Sequence, residues 1–508
     1  MEGYTTTERF LNDLGKNSFL RFWSWPSLFR DQGDVGNNGD GKEICDMVVV
    51  FGNNIILFSD KDVRFNTNKS IDVAWSRWAR KAIKESVRQI SGAKRWFREY
   101  PDRVYIDSKC SKKLPVTLPK SEDIIFHSIL VCHGVEDVLE SNISSRSFVI
   151  DNSICDDDHW DNRNPKPFHV GNLSRHGFCH IFNGHTIEMV LSEFDTVMDF
   201  VNYIGQRESL IGSQKSVKIF SESCLVQLYY ENYNEKSGRR TVWTDKMVHS
   251  KDINIKKNDI GIFYDSDSMR GKKAMDRVSY FWDSMIDIFT YHILNGTTEY
   301  SNFDSPEEIE PSIRVLASTS RFERRNLSES FISFYNKAKP GQRGTRLFID
   351  PGNDKVAFLF FLLPFYRPVF SLDSYRHLRC ELLRDYCYIN SYLHQDLDYI
   401  FGIGCRTRNH NDVLDGNFFD EGQDFVALDA SEFTRSDYQE CKKLYDEYRS
   451  IDMLAKAKQH STTSHEFPIQ VRSGFTGNTS YSDAVCKGRK RNKPCECGSG
   501  KKAKKCCF

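Results

Sequence analysis

Residues 43–61 read EICDMVVVFGNNIILFSDK. Two β-rich runs, Ile44–Phe51 and Ile55–Ser59, flank the three residues Gly52-Asn53-Asn54. Runs of β-branched and aromatic residues around a short Gly/Asn segment are typical of a β-hairpin. The sequence therefore predicts two neighbouring antiparallel strands near the start of the chain.

Helical patterns lie on both sides of this hairpin. Thr5–Ser18 carries a Thr before Glu8 and apolar residues on one side, which indicates a capped amphipathic helix. Asp72–Phe97 repeats apolar residues at helical spacing and predicts a long helix. Helix, hairpin and helix in this order predict an α/β unit over residues 1–100.

The rest of the chain shows the same alternation and gives an α/β (α+β) fold class. Strands are predicted over Ile124–Val131 and Tyr399–Gly404, and Arg346–Ile349 with Val356–Leu363 forms a second hairpin. Helices are predicted at the following places: Ile187–Ile204, Val278–Leu294, Arg314–Phe334 and Leu372–Tyr386.

The chain has 508 residues, more than one hydrophobic core normally supports. We expect an α/β domain over 1–100, a mixed α/β middle domain over 101–258 and an α/β domain over 259–455. The polar, Ser/Thr/Gly-rich residues 456–489 indicate a flexible linker, and 490–508 a small tail module.

Composition favours a globular protein of the cytoplasm. Hydrophobic residues make up 39% and charged residues 28%, and the longest apolar run, Val356–Leu363, is too short to span a bilayer. The 15 cysteines are scattered, and no signal peptide is visible, so we expect reduced thiols and no membrane partner. The oligomeric state stays open.

The formal net charge of zero excludes long-range attraction of nucleic acid by the chain as a whole. The 70 basic residues balance 70 acidic ones, so attraction must be local. Residues 487–505 provide one such patch, with nine Lys/Arg against the single acid Glu496.

Acidic residues and a lysine lie at adjacent ends of the hairpin strands. Glu43 and Asp46 open the first strand, and Asp60 and Lys61 end the second, while Glu8 lies on the preceding helix. Carboxylate oxygens bind Mg²⁺ or Mn²⁺, and a nearby amine stabilises charge on an attacked phosphate. We therefore expect a catalytic divalent-cation site with Asp46 and Asp60 as magnesium ligands and Lys61 beside them. The alternative is a charged turn after a buried strand.

This layout resembles the PD-(D/E)XK nuclease superfamily, which includes nuclease-related and restriction-endonuclease-like domains. The resemblance covers about residues 5–100. It implies that Asp46 is the metal-binding aspartate and Lys61 the catalytic lysine of an endonuclease acting on DNA or RNA.

The second acid of this family lies two residues before the lysine, where this chain has Ser59. On a regular strand Ser59 and Lys61 share a face and Asp60 points to the other face. Only a β-bulge would turn the Asp60 side chain to the face of Ser59 and Lys61. Without a bulge, Glu43 or Glu8 must complete the metal site, or the site is inactive.

The helix after the hairpin is rich in cations. Lys84, Arg88, Lys94 and Arg95 are placed where they could face phosphates, although a solvated helix face is the ordinary explanation.

The end of the chain contains two close pairs of cysteines. Cys495 and Cys497 precede a Gly-Ser-Gly turn, and Cys506 and Cys507 follow it. Four thiolates at this spacing can bind one tetrahedral Zn²⁺, which would supply the folding free energy of so short a segment. The alternatives are a disulfide-bonded tail, which a reducing compartment disfavours, or an unstructured basic tail.

Residues 494–507, which read PCECGSGKKAKKCC, closely resemble the SEC-C motif. This family occurs at the end of the bacterial protein-translocase motor and on many unrelated bacterial proteins. The resemblance implies a zinc-binding adaptor that contacts a protein partner, or a basic surface that touches nucleic acid.

Two functions follow from these features. The first is a metal-dependent nuclease, in which residues 5–100 cut nucleic acid and the zinc tail docks on a partner or on the substrate. Its expected setting is a bacterial defence against foreign nucleic acid such as viral DNA. The second is a non-catalytic adaptor that binds a protein partner through its zinc tail.

Overall fold

The computed structural model describes most of the chain up to residue 468. The described ranges are 6–31, 41–155, 165–173, 177–234, 239–256, 263–298, 303–350, 352–365, 371–407, 423–454 and 464–468. The chain divides into two units, Met1–Ser464 and His465–Phe508. All elements given below belong to the first unit, and the predicted division at residues 100, 258 and 455 stays a prediction.

A five-stranded mixed sheet is built on the predicted hairpin, with strand order β1-β2-β3-β4-β7. β1, β2 and β3 are antiparallel, while β4 and β7 run parallel to β3. The strands are β1 Ser24–Arg30, β2 Lys42–Phe51, β3 Asn54–Asp62, β4 Ile125–His133 and β7 His180–Phe182. Gly52 makes the β2–β3 turn with φ +56°, a conformation that glycine adopts without strain.

Helices cover both faces of this sheet. α1 (Thr6–Phe19) packs on one face, where the rings of Phe19 and Phe58 lie 6.0 Å apart. A continuous helical segment covers the opposite face, where the Sγ of Cys132 on β4 contacts the carbonyl of Ala82. This segment, called the 71–99 helix below, consists of α2 Ile71–Ala79, a π turn Arg80–Lys84 and α3 Glu85–Glu99. β3 is buried between these two layers.

A second, four-stranded sheet has the order β11-β8-β5-β6. Its strands are β5 Val149–Cys155, β6 His169–Asn172, β8 Ser216–Ile219 and β11 Asp252–Ile255, and a two-stranded ribbon is formed by β9 Tyr233–Asn234 and β10 Arg239–Arg240. The accompanying helices are α4 Glu136–Ile143, α5 Gly184–Glu193, α6 Val197–Ile211, α7 Glu222–Glu231 and α8 Asp245–His249. A buried ion pair joins α6 to α7, because Arg207 Nε lies 2.9 Å from Glu222 Oε1.

A helical layer follows, held together by buried ion pairs. Its helices are α9 Asp267–Asp276, a 3₁₀ turn Arg277–Ser279, α10 Tyr280–Asn295, α11 Pro306–Ala317 and α12 Arg321–Lys337. Asp283 accepts hydrogen bonds of 2.7 Å from both Arg321 and Arg324, and Asp276 accepts one of 2.8 Å from Arg325. The three arginines of α12 are therefore structural, since each has a buried carboxylate partner.

A third sheet of four strands, in the order β12-β13-β14-β15, completes the first unit. Its elements are β12 Gly344–Asp350, β13 Asn353–Leu363, α13 Leu372–Leu393, β14 Tyr399–Arg406, β15 Asp424–Asp429 and α14 Arg435–Ser450. Phe361, Leu383, Tyr386 and Tyr448 belong to one buried apolar cluster, which joins the sheet to both helices.

The α/β fold class, both hairpins and most predicted helices are confirmed, and two helix predictions are wrong. Residues 187–204 span the end of α5 and the start of α6, because the Thr196 side chain caps a new helix. Residues 314–334 likewise span α11 and α12, where Ser320 and Glu323 form a capping box. Among the described residues, no helix is both long and apolar enough to cross a membrane.

The Asp283 carboxylate holds two buried arginines, so its removal should be costly. Asp283→Ala is expected to lower the free energy of unfolding by about 3–5 kcal/mol, because Arg321 and Arg324 lose the carboxylate that they share. Urea denaturation measures the change, with the exposed Asp354→Ala as the matched control. Equal unfolding midpoints for the two variants would contradict a stabilising role of this network.

Candidate active site at the ends of strands β2 and β3

Asp46 on β2 is held by groups from β3 and from the 71–99 helix. The backbone N–H of Asp60 donates to Asp46 Oδ2 at 2.6 Å, and Gln89 Nε2 donates to Asp46 Oδ1 at 3.1 Å. Ser59 Oγ donates to Gln89 Oε1 at 2.8 Å. Gln89 therefore links the two strands from above the sheet and fixes the orientation of the Asp46 carboxylate.

Burial raises the pKa of Asp46 above its ordinary value. The hydrogen bond from the Asp60 backbone, the positive charge of Lys61 and the hydrogen bond from Gln89 each oppose this rise. The carboxylate thus lies in an environment where its negative charge is only partly compensated, and an added cation would stabilise it.

Lys61 lies on the same face of the sheet as Asp46 and Ser59. It pairs with Cys132 of β4, whose thiol faces the 71–99 helix. The Lys61 side chain is partly exposed, and its charge is close enough to affect Asp46. The structure therefore brings together Asp46 and Lys61.

The Asp60 carboxylate points to the opposite face. β3 and β4 pair from Asn54↔Ile125 to Asp62↔His133 without a register shift, so there is no bulge over these residues. Asp60 Oδ1 instead lies 2.9 Å from Nε2 of His133, and the Asp60 side chain is only 1% exposed. Asp46 and Asp60 are joined through the Asp60 backbone, and their carboxylates do not meet on one face.

The other two predicted carboxylates, Glu43 and Glu8, are not among the groups shown to bond to Asp46. Glu43 is exposed near the start of β2. Glu8 lies on α1, but its side chain is outside the described residues. Within the described ranges, no group of three or more His, Cys, Asp or Glu side chains is placed to hold a metal ion.

The cations of the 71–99 helix separate into two sets. Arg88 and Arg95 are exposed, while Lys94 is partly buried and burial lowers its pKa, with Cys179 and Glu208 nearby. Only the exposed set can act as a solvent-facing surface. Trp75, Trp78 and Trp96 are core residues.

Sequence reasoning missed Gln89 and the pairing of His133 with Asp60. Gln89 carried no signal, since its role depends on how the helix lies across the sheet. His133 ends β4 beside the end of β3, and parallel strands bring their carboxyl ends to one edge, so a prediction of β3–β4 pairing would have placed it near Asp60.

Comparison with known proteins identifies the tail alone. Residues 491–508 match the SEC-C motif. This match is compatible with a zinc-binding tail, although Cys495, Cys497, Cys506 and Cys507 lie outside the described residues. The chain has no significant match among curated proteins or among solved structures.

The Asp60–His133 pair predicts a pH-dependent contribution to stability. Burial lowers the pKa of His133, but the neighbouring carboxylates, Asp60 first, outweigh burial and leave this pKa raised above 6.5. The pair therefore stabilises the fold most fully below about pH 6.5, and this stabilisation is lost as pH rises through the raised pKa.

Asp60→Asn is expected to lower the His133 pKa, measured by NMR titration of the imidazole. Its loss of stability relative to the wild type should be larger at pH 5.5 than at pH 8.5, with the exposed Asp354→Asn as the control. An unchanged His133 titration would show that the pair is not an ion pair in solution.

Proposed function

We propose that this chain is a metal-dependent nuclease-like protein that cleaves or processes phosphodiester bonds of DNA or RNA. The observation that carries the proposal is the grouping of Asp46, Ser59, Lys61 and Gln89 on one face of the sheet. This grouping has the order of elements expected from the resemblance to PD-(D/E)XK nucleases: helix, acid on a strand, lysine on its partner strand, helix.

Asp46 is the residue proposed to hold Mg²⁺ or Mn²⁺. Mg²⁺ keeps several waters and is commonly bound by one or two carboxylates together with substrate phosphates, so a single protein carboxylate fits a site that is completed by the substrate. The partly compensated charge of Asp46 favours the same ligand. When bound, the ion would polarise the phosphate and activate a water molecule.

Lys61 and Gln89 have different roles in this proposal. The Lys61 ammonium lies on the Asp46 face and would stabilise negative charge that develops on the attacked phosphate. Gln89 positions the Asp46 carboxylate and the Ser59 hydroxyl through its two hydrogen bonds. Ser59 stands where the PD-(D/E)XK pattern has its second acid. The proposed site therefore carries one negative charge fewer than that pattern and should bind metal weakly without substrate.

Cleavage tests this assignment directly. With Mg²⁺ or Mn²⁺ the purified chain should degrade DNA or RNA, and Asp46→Asn or Lys61→Met should lower the rate at least about a hundredfold. Asp62→Asn and Lys69→Met carry the same charge changes at exposed positions and should keep the wild-type rate.

Degradation that continues in both site variants, with circular dichroism showing native folds, would refute the proposed site. Absence of any cleavage across single-stranded and duplex DNA and RNA would refute the nuclease function.

The tail has a separate role in the proposal. Four thiolates, from Cys495, Cys497, Cys506 and Cys507, are suitable ligands for one structural Zn²⁺, and the SEC-C match supports this. We propose that this tail docks the chain on a protein partner or on nucleic acid. Defence against foreign nucleic acid is the setting we propose, and its support is the combination of these two modules.

A non-catalytic adaptor is the second candidate. The observation that favours it is the absence, among the described side chains, of a preformed group of three or more metal ligands. In this alternative the SEC-C tail alone carries the function and binds a protein partner.

Metal content tests the zinc assignment. The full chain should contain one zinc per molecule by elemental analysis, and the double variant Cys506→Ser/Cys507→Ser should lose it. Cys110→Ser changes a partly exposed thiol elsewhere and should leave the zinc content unchanged. Zinc retained by the double variant would place the metal at other residues.

A further inference from the structure

The 71–99 helix presents an exposed row of cations beside the candidate active site. It contains eight Lys/Arg against three Asp/Glu, whereas the whole chain has a formal net charge of zero. Arg77, Lys81, Arg88 and Arg95 are all exposed, and together they are called the basic row. The opposite side of the helix buries its apolar residues.

The basic row differs from the other arginine clusters of this protein. In α12 each arginine has a buried carboxylate partner, and Arg207 and Arg379 are paired with Glu222 and Asp424. Within the described residues, no ion pair joins a member of the basic row to a carboxylate within 4 Å. Arg77 and Lys81 lie four residues apart on one helix and repel each other, and binding of an external anion would relieve this repulsion.

The dimensions of the row fit an extended polyanion. Arg77 and Arg95 are 18 residues apart, which corresponds to about 27 Å along the helix axis. This distance equals roughly eight nucleotide rises of about 3.4 Å along one strand of a duplex. A compact anion would contact only one or two of these side chains.

An exposed aromatic residue at the end of the helix favours nucleic acid over an acidic protein. Tyr100 follows the helix and is 40% exposed. Its ring is 4.6 Å from that of Trp96, and the guanidinium of Arg103, which is paired with Asp31, lies 5.3 Å from each ring. An accessible aromatic ring at the end of a row of cations is an arrangement on which an unpaired base stacks.

The row also has a suitable position relative to the candidate site. Gln89, which binds Asp46, follows Arg88 directly on the same helix. Successive helix residues point about 100° apart, so Arg88 points to solvent while Gln89 reaches Asp46. A strand lying along the row would therefore contact the solvent side of the same helix that positions Asp46.

We propose that the basic row of the 71–99 helix binds the phosphate backbone of a nucleic-acid strand. This inference deepens the proposed function by placing the nucleic acid on this helix, and binding to the row does not itself require cleavage.

Binding of the full chain to fluorescein-labelled 30-mers tests the inference. The 30-mers are single-stranded DNA, the same sequence as a duplex, and RNA. Fluorescence anisotropy is measured in EDTA, where metal-dependent cleavage cannot occur, from about 50 to 200 mM salt. The variant Arg77→Gln/Lys81→Gln/Arg88→Gln/Arg95→Gln should bind at least about tenfold more weakly and show a flatter dependence of affinity on salt.

The matched control is Lys337→Gln/Lys339→Gln/Arg435→Gln/Lys443→Gln. It removes four exposed charges far along the chain, keeps the basic tail, and should bind like the wild type. Equal affinities of the two quadruple variants would overturn the inference. Displacement of the 30-mer by polyglutamate at the same charge concentration would also overturn it, because it would indicate an acidic protein partner.

The two proposals fail separately. Asp46→Asn should lose cleavage and keep binding in EDTA. If the wild type binds through the row but cleaves nothing, the nuclease function is refuted and the nucleic-acid surface remains. If the wild type cleaves and the quadruple variant of the row binds normally, the surface alone is refuted.

Discussion

Strict alternation of side chains along β3 is the constraint on which the candidate site depends. β3 is buried between α1 and the 71–99 helix, and its pairing with β4 continues to Asp62 without a bulge. Each polar residue at its end must therefore go to one face or the other. Ser59 and Lys61 join Asp46 under the helix, and Asp60 joins His133 on the side of α1.

This division separates two kinds of chemistry that lie one residue apart in sequence. On one face a carboxylate with a raised pKa lies near an amine and an amide, which compensate its charge only in part. On the other face a carboxylate is already paired with an imidazole and is closed to solvent. The backbone N–H of Asp60 connects the faces, so a shift of β3 would disturb both.

Local patterns accounted for much of the fold, and long-range contacts account for what they missed. The first hairpin, α1 and the 71–99 helix follow from periodicity and turn residues, which act over a few positions. The breaks before Val197 and Arg321 depend on side-chain caps inside otherwise apolar runs. The alternation rule correctly separated Ser59 and Lys61 from Asp60, but the partners Gln89 and His133 depend on how a distant helix and strand dock, which no local pattern contains.

The π turn Arg80–Lys84 has a consequence for how this helix can vary. A π turn contains one residue more than an α turn, and the helical residues on either side of it keep the same orientation toward the sheet. Loss of a single residue there would leave a regular helix with Trp78 still toward the sheet and Gln89 still over Asp46. With the π turn kept, loss of a residue between Glu85 and Gln89 would rotate everything that follows by about 100° and break that contact. The π turn is therefore the part of this helix that can absorb the loss of one residue.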